Sequence, residues 1–249
     1  LVEVMEPKTV KPTTSSIGEI LKQSQSLGLS SKSKACTVCG RDAETIFQTC
    51  GLCHRRVQFE KLPPEEQERL IGTTIPKLFM PARLEHLTAE LQETVSKLSE
   101  NTGLMLWGKQ GVGKTYAMAA IIREYISQGC LVARIGYEML CLRIRDTYKP
   151  NAKETELSVI EPLIKVDKLF IEDVGTTVSL GRQESDFSLR TFLVLIDQRL
   201  EACLPTFITT NRTLEQLKDS FDERIASRLV QACQVIKLTG KDKRYGNEA

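Results

Sequence analysis

An α/β architecture, with a parallel sheet covered by helices on both faces and a small metal-binding module ahead of it, is the fold class this sequence predicts. Three observations predict it. Residues 108–115 read GKQGVGKT and match G-x-x-x-x-G-K-[ST] at every fixed position, between an apolar run and a stretch of helical spacing. From residue 103 onward, short apolar runs alternate with amphipathic stretches, the pattern of parallel strands joined by crossover helices. Upstream, two C-x-x-C pairs stand ten residues apart, a spacing that suits metal binding.

Composition narrows the classes. The 249 residues can hold one large domain and something small. With 41% apolar and 27% charged residues, the balance is that of a soluble globular protein. A net charge of +2 gives no argument for nucleic acid, so any such contact must come from a local patch. No apolar run has the length to span a bilayer and no signal-peptide pattern is present, so no membrane partner is expected. The chain begins at Leu1 rather than Met, as a trimmed chain would. Eight cysteines fit a disulfide scaffold in a short secreted protein, but a nucleotide-using protein works in a reducing compartment. The expected location is the cytoplasm.

Four segments follow in order. Residues 1–34 are rich in Ser, Thr, Lys and Gln, with one weak stripe at Ile17, Ile20, Leu21 and Leu27. They read as a flexible segment that folds, if at all, on a partner. Residues 35–59 form the cysteine module. Residues 60–102 form a linker and approach helices, with a helix start at Pro63-Pro64-Glu65-Glu66 and helical spacing through Leu84, Leu87, Leu91, Val95 and Leu98. Residues 103–249 form the nucleotide domain. Its strands are predicted at Leu104–Trp107, Leu131–Ile135, Leu169–Ile171, Thr206–Thr209 and Gln234–Leu238, with helices over Tyr116–Gln128 and Leu189–Leu200. The four remaining cysteines, Cys130, Cys141, Cys203 and Cys233, read as small buried apolar residues.

The octapeptide carries the chemistry. Gly108, Gly111 and Gly113 let the backbone curl so that its N–H groups point at phosphate oxygens. The helix that begins near Lys114 adds its positive dipole end. Lys114 is expected to reach the β- and γ-phosphates of ATP, and Thr115 to offer its hydroxyl to Mg²⁺. Lys168-Leu-Phe-Ile-Glu-Asp-Val-Gly175 supplies two acids at the carboxyl end of a strand, where α/β sheets bind ligands. Of Glu172 and Asp173, one is expected to organise the Mg²⁺ water shell and the other to orient or deprotonate the attacking water. Asn211, ending the fourth strand, is expected between the loop and the acidic pair. Arg224 and Arg228, four apart, share one helix face. They form a solvated basic face or complete a neighbour's nucleotide site.

The pairs Cys36/Cys39 and Cys50/Cys53 suit tetrahedral thiolate binding of Zn²⁺. Gly40 and Gly51 relieve crowding in the turns, and His54 is an alternative fourth ligand. So short a module cannot build its own core, so the metal would largely be the fold.

GKQGVGKT, KLFIEDVG, LPTFITTN and DERIASRL, in that order, resemble the AAA+ ATPases of the DnaC/DnaI helicase-loader and IstB transposition-helper family. Supporting stretches are similar too: Ile75–Leu87 on the approach, Leu195-Ile-Asp-Gln-Arg199, and Lys237-Leu-Thr-Gly240. The resemblance implies an AAA+ P-loop domain with a parallel five-stranded sheet. Too few residues follow Arg228 for the helical lid of many such proteins, so no C-terminal lid is expected. It implies that Lys114 and Thr115 are the Walker A pair, that Asn211 is sensor 1, and that Arg228 is an arginine finger acting in trans, with Arg224 beside it. The acidic pair departs from the family's pattern, which begins with Asp where this chain has Glu172. The region from Tyr137 to Lys149, with Arg143, Arg145, Tyr148 and Lys149, corresponds to the family's helix that contacts single-stranded DNA; a solvated helix face is the alternative. A hexameric replicative helicase, gripped by the N-terminal region, is the implied partner, with ATP hydrolysis coupled to homo-oligomer assembly. A transposition helper acting on target DNA, and a scaffold that binds ATP with little hydrolysis, are the other readings.

Overall fold

A computed structural model describes residues 34–39, 41–43, 49–176, 186–221 and 223–243. The expected stripe at Ile17–Leu27, the turn at Gly40 and the residue Asp222 lie outside them. The chain forms two compact units, Leu1–Cys50 and Gly51–Ala249. In the first, β1 (Lys34–Ala35) and β2 (Asp42–Ala43) pair antiparallel.

The second unit opens with α1 (Gly51–Lys61) and α2 (Pro64–Ile71). Pro64 stands in the first turn of α2, where its missing N–H costs nothing, and Glu65 and Glu66 face the helix dipole. Short 3-10 turns at Lys77–Phe79 and Leu84–His86 lead to α3 (Ala89–Lys97), capped by the Thr88 hydroxyl accepting from Leu91 N–H. Strands and helices then alternate: β3 (Gly103–Trp107), α4 (Lys114–Ser127), β4 (Val132–Gly136), α5 (Tyr137–Asp146), α6 (Glu156–Lys165), β5 (Lys168–Glu172), α7 (Asp186–Glu201), β6 (Thr206–Thr210), α8 (Leu214–Ser220), α9 (Glu223–Ala232) and β7 (Cys233–Lys237). The sheet is parallel throughout, in the order β4-β5-β6-β3-β7. This is the predicted five-stranded parallel architecture.

Alternation along the strands divides the core between the two faces. Leu104, Leu106, Phe170 and Phe207 meet Ala117–Ile122 of α4, together with Ile71, Ile75, Ala82 and Leu91 from the approach. Met105, Ala133, Ile135, Leu169, Ile171 and Ile208 meet α5, α6, α7 and α9 on the other face. Phe170 and Phe207, side by side on β5 and β6, stack with centroids 4.5 Å apart. Helix α6 has no counterpart among the sequence expectations. Its capping box uses Ser158 rather than the usual Glu or Gln, and Pro162 sits inside it.

Arg199, near the end of α7, is 1% exposed. It donates to the carbonyls of Leu163, Ile164, Val166 and Pro205 and to Thr206 Oγ1, at 2.7–3.0 Å. Burial lowers its pKa to about 10, and the acceptors take the place of a counter-ion. Replacing Arg199 with Met would strand several buried carbonyls, each costing about 1–3 kcal/mol. The expected melting temperature falls by roughly 10 °C, which calorimetry would measure. Cys203, read as buried, is instead exposed at a left-handed turn (φ 54°) after α7. Cys233 is buried as expected, and Cys130 and Cys141 are half-buried.

Candidate functional site

The glycine loop joins β3 to α4. Gly113, the N-cap of α4, has φ 101° and Gly111 has φ 74°, both in the left-handed region that favours glycine. At Gly108 space demands glycine as well, because a methyl there would collide with the backbone carbonyl of Leu238; a methyl on Gly111 would displace the Asp242 carboxylate. The segment after β7 thus runs along the loop, and Lys243 N–H donates to Gly111 O at 3.0 Å. Lys114 is buried (6% exposed). Its ammonium donates to the carbonyls of Gly108 and Lys109, both at 2.8 Å, so it is folded back inside the curl of the loop. Thr115, the next residue, is half-buried in the first turn of α4.

The end of β6 ties this loop to the acidic turn. Thr210 O accepts from Gly108 N–H at 3.3 Å, and Thr210 Oγ1 donates to Val174 O at 2.7 Å. Thr209 Oγ1 accepts from Asp173 N–H at 3.0 Å. Asn211 follows directly and is half-buried. The structure therefore brings the P-loop, the acidic pair and Asn211 to the carboxyl ends of adjacent strands. Sequence reasoning missed the threonines. It also missed Arg212, buried behind Asn211, whose Nε donates to Gly175 O at 2.5 Å and pins the acidic turn.

The two acids differ. Glu172 ends β5 on the same face as Phe170, the face that packs against α4. It is 5% exposed, and Oε2 is ion-paired with Arg134 of β4. Among the described residues, Oε1 is buried without a hydrogen-bond partner. Burial pushes the Glu172 carboxyl up, the Arg134 hydrogen bond and charge pull it down, and Asp173 adds to the rise; the net direction is upward. An orphaned buried carboxylate oxygen on the side of the phosphate loop fits a divalent cation. Asp173 is exposed and takes a left-handed φ of 57°, so its side chain leaves the strand's alternation.

Arg224 and Arg228 stand on α9. Both are exposed, opposite the apolar face of Ile225, Ala226 and Leu229. Arg228 Nε lies 2.8 Å from Asp197 Oδ1 of α7, and Nη1 donates to Gln231 Oε1 at 3.1 Å.

Helix α5 carries exposed Met139, Leu142 and Arg145, while Tyr137 is buried in the core. Arg143 pairs with Glu154 at 3.5 Å and Lys149 with Asp146 at 2.6 Å. Tyr148 OH donates to Glu156 Oε2 at 2.5 Å.

The thiols of Cys36, Cys39, Cys50 and Cys53 lie within 4.8 Å of one another, and His54 is not in the group. Cys39 and Cys50 Sγ are 3.6 Å apart, close to the edge of about 3.8 Å that a tetrahedron of Zn–S bonds near 2.3 Å requires. A hydrogen bond from the Cys50 backbone, opposed by burial and reinforced by Cys39 and Val38, brings the Cys36 thiol down to about 6. A thiolate at neutral pH is the form that binds zinc. None of the eight cysteines is in a disulfide. Cys53 stands on α1, which is fixed elsewhere: Arg55 donates to Gly129 O at 2.7 Å and pairs with Asp167 at 2.6 Å. Chelation is expected to release about one zinc per chain and to loosen residues 34–50 while α1 and the sheet stay folded. Metal analysis and amide exchange of protein purified without added zinc would check this. Metal-free protein with an unchanged fold would refute it.

The family model described as IstB-like ATP binding protein matches residues 81–249. The chain is 22% identical over 276 residues to the replicative helicase loader DnaI of Bacillus subtilis (strain 168), covering 98% of this chain and 86% of that one. It is 28% identical over 122 residues to the replicative helicase loader DnaC of Escherichia coli (strain K12), covering 49% of this chain and 47% of that one. Among solved structures, a crystal structure of DnaI superposes with a TM-score of 0.56 at 25% identity, over 72% of this chain and all of that one. A crystal structure of the DnaC helicase loader superposes with a TM-score of 0.54 at 18% identity, over 66% and 99%; that likeness is one of fold.

Proposed function

Because the chain belongs to the IstB-like ATP binding protein family, we propose that it is an ATPase that loads a hexameric replicative helicase onto single-stranded DNA. The observation that carries the ATPase part is the glycine loop, hydrogen-bonded through Thr210 to the strand ends that bear Glu172, Asp173 and Asn211. Similarity to DnaI along 98% of the chain, cysteine region included, supports the loader part.

In this reading, the loop amides and Lys114 bind the β- and γ-phosphates, and Lys114 exchanges its two carbonyl acceptors for phosphate oxygens. Glu172 and Thr115 would hold Mg²⁺ with its water shell. Bound there, the metal supplies positive charge to the phosphate oxygens. Asp173, exposed at the strand end, accepts the proton of the attacking water, and Asn211 orients that water beside the γ-phosphate. Arg228 completes the site of a neighbouring copy, so hydrolysis follows assembly. Met139, Leu142, Arg145 and Tyr148 give α5 and the turn after it an exposed apolar and basic strip that suits stacked bases and phosphates. The four thiolates would hold Zn²⁺, and the region ahead of the sheet would grip the helicase. The family's IstB-like description favours one second reading, a transposition helper that uses the same site on target DNA.

Capture from the native host separates the two. A hexameric helicase retained in the presence of ATP is the expected result; a transposase in its place would favour the second reading. Turnover with and without single-stranded DNA completes the test. ATP binding without turnover under either condition would leave only a scaffold.

A further inference from the structure

Among the described residues, Arg134 is the one cation paired with Glu172. Its position follows from register. In the β4/β5 ladder Gly136 stands opposite Glu172, and Arg134 opposite Phe170. Arg134, Gly136, Phe170 and Glu172 therefore share the face that packs against α4. Gly136 brings no side chain to Glu172, and the direction its Cβ would take is open for 4 Å. Arg134, two residues earlier on β4, reaches Glu172 diagonally along that face, within range of a long side chain.

The pair is asymmetric. The Glu172 side chain is 7% exposed and that of Arg134 24%. Among the described residues only Oε2 is engaged, while Oε1 is buried and unpartnered. A buried ion pair built for stability would satisfy both oxygens, because a stranded one carries its full desolvation cost. One oxygen fixed and the other left over is the arrangement of a metal-binding carboxylate held by an outer partner.

We infer that Arg134 is a positioning residue for the divalent cation: it clamps Glu172 Oε2 so that Oε1 stands ready at the phosphate loop. The inference rests on the nucleotide-binding reading above. Arg134 touches neither nucleotide nor water in this role and acts only through Glu172.

The experiment compares wild type, Arg134→Met and Arg134→Lys by nucleotide binding during a Mg²⁺ titration and again in EDTA. The Met variant is expected to need about 10–100-fold more Mg²⁺ for half-maximal enhancement of ADP binding, the range typical of lost outer partners. Its affinity in EDTA should match wild type. Arg134→Lys, which keeps the charge, should recover most of the Mg²⁺ dependence. In a Glu172→Gln background, Arg134→Met should add nothing further. If circular dichroism shows the Met variant unfolded, Arg134→Gln is measured in its place.

An unchanged Mg²⁺ dependence, or an equal loss of affinity with and without Mg²⁺, would overturn the inference. An additive effect in the Glu172→Gln background would do the same. A wild type that binds no nucleotide under any condition would instead remove the reading on which the inference rests.

Discussion

Lys114→Ala is expected to lose ATP binding by about 10²-fold or more, the largest single effect at this site. The ammonium is buried inside the loop and is held by two of the loop's own carbonyls, at Gly108 and Lys109. It is thus already desolvated and aimed where the phosphates arrive. Hydrogen bonds to charged groups are worth about 1.5–3 kcal/mol each, and two such bonds correspond to at least about a hundredfold in affinity. The fold should survive, because the glycines and the contacts of Gly108 and Gly111 with other segments set the shape of the loop. Calorimetric titration with ATP, alongside a melting curve, measures both. Unchanged affinity in a folded variant would remove the nucleotide site altogether.

Arg228→Ala is expected to leave ATP binding intact and to lower hydrolysis by about a hundredfold, below the roughly 10³–10⁵ of arginine fingers in GTPase systems. The residue is exposed and, among the described residues, engaged by Asp197 and Gln231 of its own chain. Exposed pairs of that kind contribute about 0–1 kcal/mol, so stability should barely change. Mixing supplies the decisive measurement. Lys114→Ala chains retain Arg228 and can donate it to the intact loops of Arg228→Ala chains, so the mixture should regain turnover that neither variant has alone. Inactivity despite demonstrated co-assembly would exclude action in trans. Loss of ATP binding by Arg228→Ala alone would assign the residue a structural role within its own subunit.

The strands and the glycine loop were legible because period and motif are local signals. Each of the five sheet strands lies within a residue or two of its expectation, and GKQGVGKT folds as a left-handed glycine turn at the head of a helix. Helix α6 was not legible, because Pro162 and a Ser-based capping box hide it from helix-reading rules. The acidic pair was legible as a pair, but the different settings of its two members were not. Which carboxylate faces α4 depends on strand alternation at the final residue of β5, and on the left-handed turn that Asp173 then takes. Arg134 and Arg212 carry no motif at all. Their meaning comes from a neighbouring strand and from a turn 37 residues away, distances that a linear reading does not see.

Arg199 has a further consequence for how the molecule opens. Its guanidinium gathers the end of α6, the residue leading into β5 and the first residues of the β6 stretch. Segments far apart in sequence thus share one knot, and none can swing away without breaking bonds that belong to the others. Such segments fluctuate as a cooperative unit rather than fraying one by one. In native-state hydrogen exchange, slow amides around Leu169, Leu204 and Thr206 should lose protection together, at a single opening free energy. In an Arg199→Met chain, the same amides should separate into independent, faster openings.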